Sequence, residues 1–161
     1  MAELHPDVAV LAPLLGTWTG TGAGEYPTIE PFEYLEEVTF RHVGKPFLAY
    51  GQRTRAADDG RPLHAETGYL RVPAPGRLEW VLAHPTGITE ILQGTVSEVD
   101  GGLEIDLEST SIGRTDSAKD VQALRRWFTL DADVLSYDIR MAAVGIPLRH
   151  HLSAVLHRSN S

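Results

Sequence analysis

The sequence predicts an all-β fold: a ten-stranded, antiparallel, up-and-down barrel preceded by a short helix. Three observations predict it. Apolar and polar residues alternate with period two in a succession of short segments, the pattern of strands with one face buried. Between the segments stands hairpin punctuation: Asp58-Asp59-Gly60, Pro75-Gly76, Pro85-Thr86-Gly87, Asp100-Gly101-Gly102 and Asp131-Ala132-Asp133. The chain has 161 residues, 42% of them hydrophobic, which is enough for one sizeable core and too little for two ordinary domains. So many antiparallel strands close on themselves to remove their edges, and a barrel of more than eight strands encloses a cavity. Residues 1–161 are therefore expected to form one domain, with the barrel over 14–158.

The elements follow in order. Pro6 and Asp7 start a brief helix in which Val8, Leu11 and Leu15 recur at helical spacing, and Pro13 and Gly16 close it. Strands are expected over 18–23, 33–40, 47–54, 63–72, 78–84, 87–97, 103–110, 121–130, 134–143 and 148–157. Residues 109–120, STSIGRTDSAKD, form the most loop-like stretch.

Composition excludes several functions. A formal charge of −8 and a pI near 5.3 oppose binding to nucleic acid or to an anionic membrane. With no cysteine, there can be no disulfide, thiolate metal site, iron–sulfur cluster or cysteine nucleophile, and any metal must be held by histidine or carboxylate. The opening residues lack the features of a secretory signal and are too short an apolar run to span a bilayer, so a cytoplasmic protein is expected. Asp58-Asp59-Gly60 lacks the downstream ligands of a calcium loop. Glu36 and Glu37, as strand neighbours, point opposite ways and cannot act as a carboxylate pair. No Gly-x-Ser-x-Gly elbow of a hydrolase is present.

The glycine-rich run GTWTGTGAGEYPTIEPF, residues 16–32, superficially resembles a phosphate loop. It lacks the Gly-Lys-Ser/Thr ending of such a loop, and its glycines lie within a strand followed by Pro27 and Pro31, which forbid the helix a dinucleotide fingerprint requires. Strand parity puts Gly16, Trp18, Gly20 and Gly22 on one face. That face carries almost no side chain except one indole, as suits a strand that another backbone must approach closely.

Seven histidines are the candidate ligands: His5, His42, His64, His84, His150, His151 and His157. On the last strand, parity groups His150 with Leu148, Leu152, Ala154 and Leu156, and His151 with Arg149, Ser153, Val155 and His157. His151 and His157 are roughly 20 Å apart at about 3.3 Å per residue, so they cannot share an ion. A zinc site within this strand is thus disfavoured, while one assembled across strands with His64 or His84 stays open. Parity alone does not choose between His150 and His151.

The Gly16-x-Trp18-x-Gly20-x-Gly22 pattern resembles the GxWxGxG signature of the nitrobindin family, and its first half resembles the GxW of lipocalin and fatty-acid-binding barrels. Further stretches are similar to nitrobindins in the same order: YPTIEPFEYLEE (26–37), GKPFLAY (44–50), PLHAETGYLR (62–71), LAHPTGITEI (82–91) and PLRHHLSAVLHR (147–158). The resemblance implies a ten-stranded calycin-like barrel holding one ferric haem b. It implies that His151, directly before Leu152 in the HLxAVLHR ending, is the axial iron ligand. By the same matching, Met141 lies by the proximal face, His64 and His84 lie on haem-facing strands, and Thr28 and Ile29 cover the haem edge. Lys119 and Arg126 are candidates for the propionates. The activity implied is isomerisation of peroxynitrite to nitrate, with nitric oxide as a further ligand and a role in sensing or scavenging reactive nitrogen species. A homodimer is also implied. The alternative function is a non-enzymatic, lipocalin-like carrier of a small apolar ligand.

Overall fold

A computed structural model describes residues 2–159. Ten strands follow a 3-10 helix at Pro6–Leu14: β1 (Gly16–Tyr26), β2 (Ile29–Arg41), β3 (Leu48–Ala56), β4 (Pro62–Arg71), β5 (Arg77–His84), β6 (Ile88–Val99), β7 (Gly102–Arg114), β8 (Val121–Asp131), β9 (Val134–Ala143) and β10 (Ile146–Arg158). Each strand pairs antiparallel with its chain neighbour, and β1 pairs with β10 to close the barrel. The expected all-β class and strand order are both observed. Among the described residues no helix is long and apolar enough to cross a membrane.

Two boundaries differ from expectation. The helix is 3-10, not α, and it runs through Pro13. Its buried residues are Val8, Leu11 and Leu14, at a spacing of three, so Leu14 takes the core position expected for Leu15. Half of the expected loop 109–120 is strand, because β7 continues to Arg114 by pairing with Ile88–Ile91 past a bulge at Thr110 in β7.

The glycine-stripped face of β1 has the packing role its pattern suggests. A Cβ on Gly20 would lie 2.1 Å from the Val155 carbonyl oxygen, and one on Gly22 would lie 2.3 Å from the Tyr34 ring. The bare backbone therefore lets β10 and the Tyr34 ring approach. Trp18 is fully buried, donates its indole N–H to the Leu14 carbonyl at 2.9 Å, and carries the Arg158 guanidinium 4.3 Å from its ring centroid.

Antiparallel order gives the barrel two unlike ends. Where β1 starts, the 3-10 helix and inward Leu48, Leu70, Leu78, Leu135 and Leu156 form an apolar plug, each at most 1% exposed. Where β1 ends, the inward positions are occupied instead by Tyr26, His64, His84, Glu90, Arg126, Met141 and His151.

Candidate functional site

The polar end gathers the eight residues that the family resemblance implies for the haem site. Thr28 and Ile29, exposed at the β1–β2 turn, and Lys119, exposed in the connection 115–120, lie on its rim. His64, His84, Arg126 and Met141 point inward from β4, β5, β8 and β9, and His151 comes from β10.

His151 is presented by a break in strand pairing. His150 pairs with Arg140 and Leu152 with Ile139, so β10 carries one extra residue at His151. Such a bulge reverses the alternation on its two sides. His150 consequently turns outward, with Nδ1 at 3.1 Å from Glu25 and Nε2 at 3.5 Å from Asp138, although simple parity groups it with inward Leu152 and Leu156. The His151 ring packs edge-on against buried Tyr26, at a centroid distance of 5.3 Å. Its Nδ1–H donates to the Glu25 carbonyl at 2.9 Å, which leaves the Nε2 lone pair as the free ligand atom. Desolvation is the main influence lowering its pKa; the Glu25 carbonyl opposes it, and the charges of His150, His64 and Arg126 reinforce it. The imidazole is thereby kept neutral, the form that binds iron.

Tyr26 anchors this mount. Its hydroxyl accepts the Ala143 N–H at 2.9 Å and donates to the Met141 carbonyl at 3.0 Å, tying the end of β1 to β9 beside the bulge. Phe32, Ile112, Ala118, Met141, Ile146 and Leu152 are partly buried against the core, giving this mouth an apolar lining.

Below the mouth lies a charged floor that the sequence reading missed. Arg126, a propionate candidate in the sequence, is 3% exposed. Its guanidinium spans Glu66, at 2.9 and 3.1 Å, and Glu90, at 2.7 and 3.3 Å. It is committed to these two carboxylates, which leaves Lys119 as the rim cation of the original pair. Glu66 also accepts from the Tyr50 hydroxyl at 2.8 Å. Burial opposes ionisation of Glu66 and Glu90, but Arg126, with help from His64 or His84, holds both carboxyls below their ordinary range. A separate chain runs from Tyr34 to Tyr137 at 2.7 Å and on to Glu36 at 2.6 Å. Parity carried a signal for three of these groups, because Glu36, Glu90 and Arg126 each fall between inward apolar neighbours two residues away, and Glu66 lies between His64 and Gly68 on the same face.

A neutral, inward-facing imidazole with one nitrogen pinned and the other free, set beside apolar walls and below a rim cation, fits haem. Residues 7–158 match the family described as the THAP4-like, heme-binding β-barrel domain. This chain belongs to that haem-binding β-barrel family. Within it, the chain is 69% identical over 156 residues to peroxynitrite isomerase 1 of Mycolicibacterium paratuberculosis, covering 97% of each. It is 61% identical to a peroxynitrite isomerase of Nocardia farcinica over 96% of this chain and 92% of that one. The crystal structure of Rv2717c from M. tuberculosis superposes with a TM-score of 0.96 at 59% identity, over 98% of this chain and all of the other.

Proposed function

We propose that the protein is a peroxynitrite isomerase that carries one ferric haem b in the polar mouth of the barrel, with His151 as the axial ligand. The observation that carries this is the bulge at His151, with Nδ1–H held by the Glu25 carbonyl at 2.9 Å. The names of the relatives at 57–69% identity support the substrate and reaction. When bound, the ferric haem supplies Lewis acidity and an open coordination position for peroxynitrite.

The chain's own part is binding and exclusion. Glu25 and Tyr26 fix the His151 ring in one orientation, so a neutral nitrogen is presented without rearrangement. Met141 and Leu152 would wall the His151 side of a bound haem, Thr28 and Ile29 would cover its exposed edge, and Lys119 would meet a propionate as a charge-assisted pair. His64 and His84 line the cavity. With His151 as its one ligand from the chain, the haem would keep a coordination position for nitric oxide or peroxynitrite; the reading includes a cytoplasmic sensor or scavenger of reactive nitrogen species that acts as a homodimer. The apolar-carrier alternative is disfavoured by the floor, since an apolar ligand there would face Arg126, Glu66 and Glu90.

Stopped-flow mixing of peroxynitrite with haem-loaded protein tests the proposal. Faster decay than in buffer, with nitrate as the product, is expected, and the acceleration should fall in His151→Ala. Decay at the buffer rate would refute the isomerase activity even if haem binds.

A further inference from the structure

Three donor atoms from two strands meet beside the mouth, on residues to which the proposed function assigns no bond to haem and, for His64 and His84, only the lining of the cavity. His64 Nε2 is 3.0 Å from His84 Nδ1 and 3.6 Å from Glu66 Oε2, and His84 Nδ1 is 3.4 Å from the same oxygen. All three lie within 4.8 Å of one another. A tetrahedral ion bonded at about 2.0–2.1 Å needs its donors about 3.3–3.4 Å apart, so this triangle already has the size of one face of such a site. We propose that His64, Glu66 and His84 bind a divalent first-row transition ion, separate from the haem.

The surroundings are built as a metal site's support requires. The far nitrogen of His84 is 2.6 Å from Glu90, the carboxylate–histidine contact that fixes a ligand's tautomer and orientation. Glu66 is fixed through both oxygens, Oε1 accepting from Tyr50 at 2.8 Å and Arg126 at 2.9 Å and Oε2 accepting from Arg126 at 3.1 Å, and Oε2 is the oxygen that also faces the histidines. His64 is 33% exposed in its side chain and opens the triangle toward the mouth, where a fourth ligand can enter. Two imidazoles and one carboxylate suit zinc or ferrous iron better than calcium or magnesium, which prefer all-oxygen sets.

Charge points the same way. Glu66 and Glu90 are 7% and 0% exposed, and among the described residues Arg126 is the one permanent cation bonded to them. Two buried carboxylates thus face a single guanidinium, and a buried carboxylate is stabilised by a further positive partner. An ion at the triangle supplies that partner. Without an ion a single hydrogen lies between His64 Nε2 and His84 Nδ1, and an ion bound by both nitrogens takes its place.

The test is calorimetric titration of haem-loaded, metal-stripped protein with zinc chloride. One tight equivalent per chain is expected. His64→Ala and His84→Ala should each weaken it by more than the roughly 10- to 100-fold typical of losing only an orienting partner. His42→Ala and His157→Ala, outside the cluster, should titrate as wild type. Crystals soaked in zinc and measured on both sides of the zinc edge should show the ion between the three donors. Absence of uptake, or uptake equal in the His64 and His84 variants, would overturn the site and leave a simple hydrogen-bonded histidine pair. Half-exposed His64 carries the test if the His84 variant does not fold. The Soret band reports haem binding separately, so failure of the haem proposal is distinguishable from failure of this one.

Discussion

Glu36 should make stability fall with rising pH, and Glu36→Gln should abolish that fall. The carboxylate is 5% exposed, with the Tyr137 hydroxyl donating at 2.6 Å and Gln52 Nε2 donating at 2.7 Å. Burial pushes its carboxyl up from 4.5 to about 7, and those two hydrogen bonds oppose the rise without cancelling it. The folded state thus holds the proton more tightly than the unfolded chain. Its contribution is fully present below about pH 4.5 and is lost as pH rises through about 7. At roughly 1.4 kcal/mol for each pH unit, that gap corresponds to about 3 kcal/mol. The new amide keeps the bond from Tyr137, and rotating the Gln52 amide would let its Oε1, buried without a partner, accept the amide N–H. Urea denaturation of haem-free protein, followed by tryptophan fluorescence from pH 5 to 8, measures the difference between the two proteins. The variant should be close to wild type at pH 5, within about 1 kcal/mol for a neutral hydrogen-bond exchange. By pH 8 it should be more stable by about 2–3 kcal/mol. His151 and other groups titrate in both proteins and cancel in the difference. Parallel curves across this range would refute the burial argument.

Other substitutions probe the remaining supports. Arg126→Met leaves Glu66 and Glu90 buried against each other and should cost about 3–5 kcal/mol, seen as a large drop in Tm at pH 7. Gly22→Ala drives a Cβ into the Tyr34 ring and strains the 2.7 Å bond from Tyr34 to Tyr137, for an expected loss of about 1–3 kcal/mol in the same melt. Tyr26→Phe leaves the Ala143 N–H without its partner beside the His151 bulge. It should cost about 1–3 kcal/mol and speed haem dissociation measured by transfer to an acceptor protein.

The barrel was legible because alternation survives along most strands: inward Leu78, Trp80 and Leu82 on β5 or Leu124, Arg126 and Phe128 on β8 keep strict period two. Local breaks in that period were not legible. The extra residue at His151 has no sequence mark of its own, so parity misplaced His150 while the family pattern chose its neighbour. The helix shows the same limit, since Val8, Leu11 and Leu15 fit a 3.6 period as well as Val8, Leu11 and Leu14 fit a period of three. The burial of Arg126 was not legible for a different reason. An isolated arginine is ordinarily solvated, and only the three-dimensional meeting with Glu66 and Glu90, from two other strands, makes its burial tolerable.

The central claim is that His151 is the iron ligand. Titrating haem-free protein with haemin and recording ferric and ferrous spectra tests it most directly. Wild type and His150→Ala should develop the same specific Soret band, because His150 faces outward. His151→Ala should lose that band or change its position in both oxidation states. Identical spectra for wild type and His151→Ala would contradict the assignment.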